Sequence, residues 1–205
     1  MLLFIQDHCT LSDTVRIALQ LKEIEHEILP LTQLTKRLPK VLPEHELVVS
    51  QGITPVLHDE NRTYIQSHAI LEYLDEAYPE VPLLMGMARD RIQTRSLMEI
   101  ISSDIEPLIN KRTMGHLGDV GLDSKIWQHY WFKKGFELLE ALLRDNPARG
   151  RYCHGDTITL ADCYLVPQIW AATDTGFDIS QYETLSSILE HCMMLEEFSD
   201  IRNKT

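Results

Sequence analysis

Positive charge is scarce in this chain. Nineteen Lys and Arg stand against 31 Asp and Glu, a formal net charge of −12 over 205 residues. A field of that sign repels phosphate backbones, so nucleic acid is not an expected partner. It does not exclude a small anion held at a helix N-terminus. Long apolar runs are also missing: none approaches the roughly 20 residues of a membrane helix, and no membrane partner is expected. Residues 1–9 (MLLFIQDHC) turn polar too soon for a secretory signal. The four cysteines (Cys9, Cys153, Cys163, Cys192) form neither a C-x-x-C pair nor a Cys/His cluster. That argues against a metal site, and the expectation is reduced thiols and a cytoplasmic location. No internal repeat or low-complexity tract is present. What remains is 44% apolar and 24% charged, the composition of a globular chain long enough for one large domain or two small ones.

The order of elements is more informative. Residues 2–6 form an apolar run that predicts a buried strand. In residues 11–23, Leu11, Val15, Ala18, Leu19 and Lys22 recur at spacings of three and four, which predicts a helix. Residues 26–29 predict a second strand closed by Pro30, so the chain opens β-α-β. Pro39 and Pro43 keep any helix in residues 31–51 short. Residues 55–58 and 63–66 predict a hairpin around Asp59-Glu60-Asn61-Arg62. Residues 67–77 predict a helix with Ser67 as its cap and Ile70, Leu71 and Leu74 on one face. This is the element order of a thioredoxin-like domain, assigned to residues 1–79. The Pro- and Gly-bearing stretch 80–86 predicts a linker, and residues 87–205 an all-helical domain. In that domain residues 87–112, 124–145 and 181–198 carry helical periodicity. Gly115, Gly118 and Gly121 mark an expected loop, and Thr159-Leu160-Ala161-Asp162 is a capping box with Asp in place of Glu.

Three places could carry chemistry. Cys9 lies between a predicted strand and a predicted helix, where unpaired backbone N–H groups and the positive helix end favour a thiolate. Cys9-Thr10-Leu11-Ser12 also has the spacing of a redox motif whose second cysteine is serine; such a thiol can join a small thiol but not close an internal bridge. The alternative is a small residue filling a loop. Thr10 and Ser12 can donate to a thiolate, although a helix cap is the simpler role for Thr10. Thr54-Pro55 begins a strand after a loop and is a candidate cis bond, although trans is the rule for such a dipeptide. Gln66-Ser67, at a strand end and helix start, can hold a carboxylate, Ser67 also serving as a cap. Arg16 reads as a structural ion pair, and His8 as a weak candidate base.

These residues together resemble the cytosolic glutathione transferases. Residues 9–19 are similar to that family's active-site strand–helix junction, Thr54-Pro55-Val56-Leu57 to its cis-proline strand, and residues 66–74 to its glutathione-binding turn and following helix. Gly155-Asp156 with Thr159–Asp162 is similar to its C-terminal capping signature. Within the family, residues 155–168 and 182–188 look most like the zeta class, which includes maleylacetoacetate isomerases. The resemblance implies a thioredoxin-like domain plus a helical domain, and glutathione as cosubstrate. Gln66 and Ser67 would hold the γ-glutamyl end and the Thr54–Pro55 backbone the cysteinyl unit, with Cys9, Thr10 and Ser12 catalytic. It also implies a homodimer. The reaction would be conjugation, thiol transfer or cis–trans isomerisation of a small electrophile. A maleylacetoacetate or maleylpyruvate isomerase and a non-catalytic binding protein are the alternatives. Three departures stand out. Cys9 occupies the place of the zeta serine, as in the omega class. Val49-Ser50 replaces an expected Asn-Pro. Asp174 falls where zeta enzymes carry a substrate-binding arginine, which argues against a dicarboxylate unless another cation, such as Lys111 or Arg112, takes its place.

Overall fold

The computed structural model describes residues 1–38 and 40–204, so Pro39, expected to interrupt a helix, lies outside the described residues. The chain divides into two units, Met1–Pro82 and Leu83–Lys204. No helix among the described residues is long and apolar enough to cross a membrane.

The first unit runs β1 (Leu2–Ile5), α1 (Thr10–Leu21), β2 (Glu27–Pro30), a 3-10 turn (Leu31–Gln33), α2 (Leu34–Arg37), α3 (Pro43–Ser50), β3 (Val56–Asp59), β4 (Arg62–Ile65) and α4 (Ser67–Ala77). Among the described residues the sheet order is β2-β1-β3-β4. β1 and β2 are parallel, joined through α1, and β1–β3 and β3–β4 are antiparallel. This is the thioredoxin-like arrangement that the sequence predicts. Glu60 and Asn61 close the β3–β4 hairpin with φ of 44° and 70°, the pair of left-handed residues that a tight two-residue turn requires.

Alternation along the strands divides the apolar residues between two faces. Phe4, Leu29 and Val56 join Leu31, Leu34, Leu38 and Val48 in one buried cluster. Leu3 pairs with Leu57 one residue out of phase and points the other way. α1 and α4 pack together through a buried set that includes Val15, Ala18, Leu19, Ile70, Leu71 and Leu74. Lys22, the C-cap of α1, is buried and continues the stripe of that helix, as its spacing predicts. Its Nζ donates to Asp75 Oδ1 at 3.2 Å and to the Val81 carbonyl at 2.6 Å, so the buried charge is paired. Tyr73 and Tyr78 both donate to Asp59 Oδ2 at 2.7 Å, tying the end of β3 to α4.

The second unit contains α5 (Ala88–Glu99), a π-helical segment (Ile100–Ile105), α6 (Glu106–Ile109), α7 (Lys111–Asp119), α8 (Ser124–Arg144), α9 (Leu160–Asp174), α10 (Glu183–Met193) and α11 (Glu196–Lys204). α9 is buried almost all round, from Leu160 to Trp170 and again at Ala172, as befits the central helix of an all-helical core. It packs against α5, the π segment, α8 and α10. Its start is held by Asp162, which is fully buried and accepts from the N–H and hydroxyl of Thr159 and from the N–H of Cys153, each at 2.8 Å. α10 is capped from a neighbour: the Glu140 carboxylate of α8 accepts the N–H groups of Thr184 and Leu185 at 3.0 Å each.

Several local expectations need correction. Residues 87–112 do not form one helix. The π segment interrupts it, and Asn110 restarts the chain as α7 by accepting the Thr113 N–H at 2.9 Å. Gly115 and Gly118 therefore lie inside α7 rather than in a loop, because the Asn110 cap and buried Leu117 outweigh their low propensity. Ser67 is the first residue of α4, and the cap position falls on Gln66.

Candidate active site

The loop after β1 delivers Cys9 to the N-cap position of α1, with φ −114° and ψ 106°. Its carbonyl accepts the N–H groups of Ser12 and Asp13 at 2.9 and 3.0 Å, so the helix starts at Thr10. The cap position belongs to Cys9 and not to Thr10, which corrects the expectation for that residue. The thiol makes no cap bond and instead lies 3.4 Å from Thr54 Oγ1.

Cys9 is half-buried, whereas Cys153, Cys163 and Cys192 are buried. Burial pushes the Cys153 and Cys192 thiols up, and the neighbouring Asp162 carboxyl adds to both shifts. These two are therefore held as inert thiols.

Thr54 reaches Cys9 because of the turn before it. α3 ends in a turn in which Gly52 and Ile53 donate to the carbonyls of Val49 and Val48. Gly52 has φ +64°, and a Cβ there would meet the Gln6 amide at 3.0 Å, so glycine suits both the backbone and the close approach. The Thr54–Pro55 bond that follows is cis, the isomer the dipeptide alone disfavours.

Gln66 departs from ordinary backbone geometry, with φ 74° and ψ 113°. Such values in a residue other than glycine cost on the order of 1–3 kcal/mol, and outliers of this kind cluster at ligand clamps. Gln66 is exposed, Ser67 is buried, and the Gln66 carbonyl accepts the Ile70 N–H at 3.0 Å.

Thr10 is half-buried. Ser12 is 1% exposed, and its Oγ has no hydrogen-bond partner among the described residues. Thus Cys9 and Thr54 are in direct contact, Thr10 and Ser12 share the first turn of α1 with Cys9, and Gln66 and Ser67 sit at the neighbouring helix start. Arg16 donates to Asp13 Oδ1 at 2.7 Å, both residues buried, in keeping with its structural reading. His8 is exposed with φ 52°. Val49 and Ser50 end α3, where Ser50 Oγ donates to the Leu47 carbonyl at 3.0 Å.

Sequence reasoning missed two features. One is the Cys9–Thr54 contact, which joins residues 45 apart and has no local signal. The other lies in the second unit. Asp174, the apparent charge reversal, forms a two-pronged ion pair with Arg202 of α11, with N–O distances of 2.5 and 2.9 Å. The Arg202 guanidinium lies 5.7 Å from the centre of the Trp170 ring. The negative charge at position 174 is therefore matched locally by a cation that no motif marks. Lys111 and Arg112 are exposed in the first turn of α7, and burial raises the nearby Glu106 carboxyl.

Comparison with known proteins gives matches over most of the chain. Residues 3–82 match the glutathione S-transferase N-terminal domain and residues 130–192 the C-terminal domain. A maleylpyruvate isomerase from a Ralstonia species is 37% identical over 191 residues, covering 91% of this chain and 89% of that protein. Among solved structures, a holo maleylpyruvate isomerase described as a bacterial zeta-class glutathione S-transferase superposes with a TM-score of 0.88. It is 35% identical and covers 98% of this chain and 96% of the other. A maleylacetoacetate isomerase from Methylobacterium extorquens, solved with malonate and glutathione bound, has a TM-score of 0.87 at 29% identity, covering 98% and 96%.

Proposed function

The chain belongs to the glutathione S-transferase family, and we propose that it is a glutathione-dependent enzyme that isomerises a cis double bond in, or conjugates, a small electrophile. Glutathione is its cosubstrate. The observation that carries this reading is the meeting of a helix N-terminus, a half-buried thiol and a threonine hydroxyl at Cys9 and Thr54. Residues 1–79, read from the sequence as a thioredoxin-like domain, supply the glutathione site.

In this reading Gln66 and Ser67 hold the γ-glutamyl carboxylate at the start of α4, where N–H groups and the helix dipole favour an anion. The backbone of Thr54 and Pro55 pairs with the cysteinyl unit as an added strand would. The glutathione sulfur then faces the first turn of α1. Hydrogen bonds from Cys9, Thr10 or Ser12, with the dipole of α1, stabilise its thiolate by on the order of 1–2 kcal/mol, about tenfold more thiolate at fixed pH. That thiolate adds to the electrophile. For isomerisation the adduct rotates about the former double bond and expels glutathione unchanged. For conjugation it stays.

Asp174 stands where the zeta resemblance expects a substrate-binding arginine, which argues against a dicarboxylate; maleylpyruvate, itself a dicarboxylate and the substrate named for the Ralstonia relative, tests that departure directly. The test is glutathione-dependent conversion of maleylpyruvate beside conjugation of a chloronitrobenzene, with retention on immobilised glutathione measured on the same protein. Turnover of either substrate that vanishes without glutathione supports the reading. Neither turnover nor retention would overturn it, in favour of a binding scaffold of the same fold.

A further inference from the structure

We propose that His45 is a positioning residue for the glutathione site. With a neutral ring it holds α3 and the turn that carries Thr54; on protonation it releases both, so glutathione binding weakens as pH falls below neutrality. The inference rests on the glutathione site proposed above and adds its regulation by pH.

Helix α3 starts at an apolar cap residue, Leu42. The Leu42 N–H donates to His45 Nδ1 at 3.1 Å, and the His45 N–H donates to the Leu42 carbonyl at 2.9 Å. His45 thus takes the third helical position, where Glu or Gln usually reaches back to the cap. A carboxylate or an amide accepts throughout the neutral range. An imidazole nitrogen accepts only without a proton, so this bond needs the neutral ring with its hydrogen on Nε2. His45 is 4% exposed, so a charged ring there would lack both water and its present partner.

A second histidine faces the same layer. Val48, one turn along α3 from His45, packs in one buried cluster with Val56 of β3. His58, two residues along β3, shares the face of Val56. Its ring is half-buried, with Nδ1 3.2 Å from Thr63 Oγ1. Burial first, and His45 second, hold the His58 ring below the usual histidine value. The stability it contributes is therefore whole above about pH 6.5 and is lost as pH falls through the lowered value. Asp59 acts in the opposite sense, and the amino group of Met1 adds to the lowering. The other charges on the surrounding elements are exposed: Glu44 and Glu46 on α3 itself, Arg62 on β4, Lys36 and Arg37 on α2, and Glu27 on β2, whose carboxylate accepts from Arg37.

The far end of α3 carries the site. The carbonyls of Val48 and Val49 accept the N–H groups of Ile53 and Gly52 at 3.0 and 3.1 Å. The next bond is the cis Thr54–Pro55, and the Thr54 hydroxyl touches Cys9 at 3.4 Å. α3 has eight residues, so freeing its first turn leaves little to hold its second.

The test uses the full chain at about pH 7.5 and about pH 5.5, either side of the histidine range. One reading is hydrogen-exchange protection of the amides in residues 42–53, normalised to the free-peptide rate at each pH. The other is glutathione affinity by titration calorimetry. A ring that is neutral when bound and free to protonate when released favours release up to about tenfold more at the lower pH. Wild type should lose protection by up to that factor, and its glutathione affinity should fall measurably with it. In His45→Gln the amide accepts the Leu42 N–H at both pH values, so both quantities should stay level; a histidine that only fills space would leave the pH dependence in place. His58→Gln keeps the cap and removes the neighbouring ring, and should shrink the loss without abolishing it. Protection or affinity that stays level in a wild type that binds glutathione would overturn this proposal alone. So would a His45→Gln variant with the wild-type loss, or a loss unchanged in His58→Gln. No glutathione binding at either pH would overturn it together with the glutathione site.

Discussion

Replacing Asp162 by alanine tests the central helix of the second unit most directly. Its Oδ1 accepts the Cys153 N–H, and its Oδ2 accepts both the N–H and the hydroxyl of Thr159, all at 2.8 Å. Asp162, Cys153 and Thr159 are at most 2% exposed, so water cannot replace the lost acceptor. Two orphaned buried N–H groups cost about 1–3 kcal/mol each. The offset is relief from holding a carboxyl that burial pushes toward its protonated form. The net expectation is a loss of about 3–5 kcal/mol, a large share of the roughly 5–15 kcal/mol that holds an ordinary domain folded. Thr159→Ala removes one cap hydroxyl and should lose only about 0.5–2 kcal/mol. Because that hydroxyl donates to Asp162, the double variant should lose less than the sum of the two. Trp127, Trp131 and Trp170, the three tryptophans of the chain, all lie in the second unit, so tryptophan fluorescence during urea unfolding reads that unit. A loss below about 1 kcal/mol for Asp162→Ala, at unchanged slope, would refute the assignment of this carboxylate as the anchor of α9.

Three further outcomes follow from the same reasoning. Gly135→Ala puts a Cβ on top of the Ile105 side chain of the π segment; overpacking of about 1–3 kcal/mol should outweigh the roughly 1 kcal/mol gained in helix propensity. Adding Ile105→Ala should remove the penalty of the methyl, and a Gly135→Ala that simply stabilises the fold would show that α8 and the π segment do not meet this closely. Burial and the bond to Asp59 push the Tyr73 phenol up, and the same bond pushes Tyr78 up to about 12. Both folded values exceed the unfolded value of about 10, so their contribution to stability is whole below about pH 10 and is lost as pH rises toward the folded values. In the native protein these two phenols should ionise late by near-ultraviolet absorbance, together with Tyr152 and Tyr182, which burial also pushes up, and Asp59→Asn should bring Tyr73 and Tyr78 earlier; a late fraction unchanged in Asp59→Asn would contradict the pairing. Iodoacetamide should modify one thiol quickly, at Cys9, with the buried three slow and glutathione protective; fast labelling of Cys153 or Cys192 would contradict their burial.

Where sequence and structure agree, the agreement has local causes. The stripe of α1, Lys22 included, is written at helical spacing, and Thr159 with Asp162 forms a cap within four residues. The hairpin turn at Glu60-Asn61 is short-range chemistry too. What failed, failed for non-local reasons. Gly115 and Gly118 read as loop residues because propensity is local, whereas the burial of Leu117 that keeps α7 helical comes from packing. The π segment at Ile100–Ile105 is too short for its change of pitch to stand out in hydrophobic spacing. At the candidate site, Cys9 was legible from its place between a strand and a helix. Its contact with Thr54, the neutralisation of Asp174 by Arg202 and the carboxylate cap that Glu140 gives α10 join distant parts of the chain and become visible only when it folds.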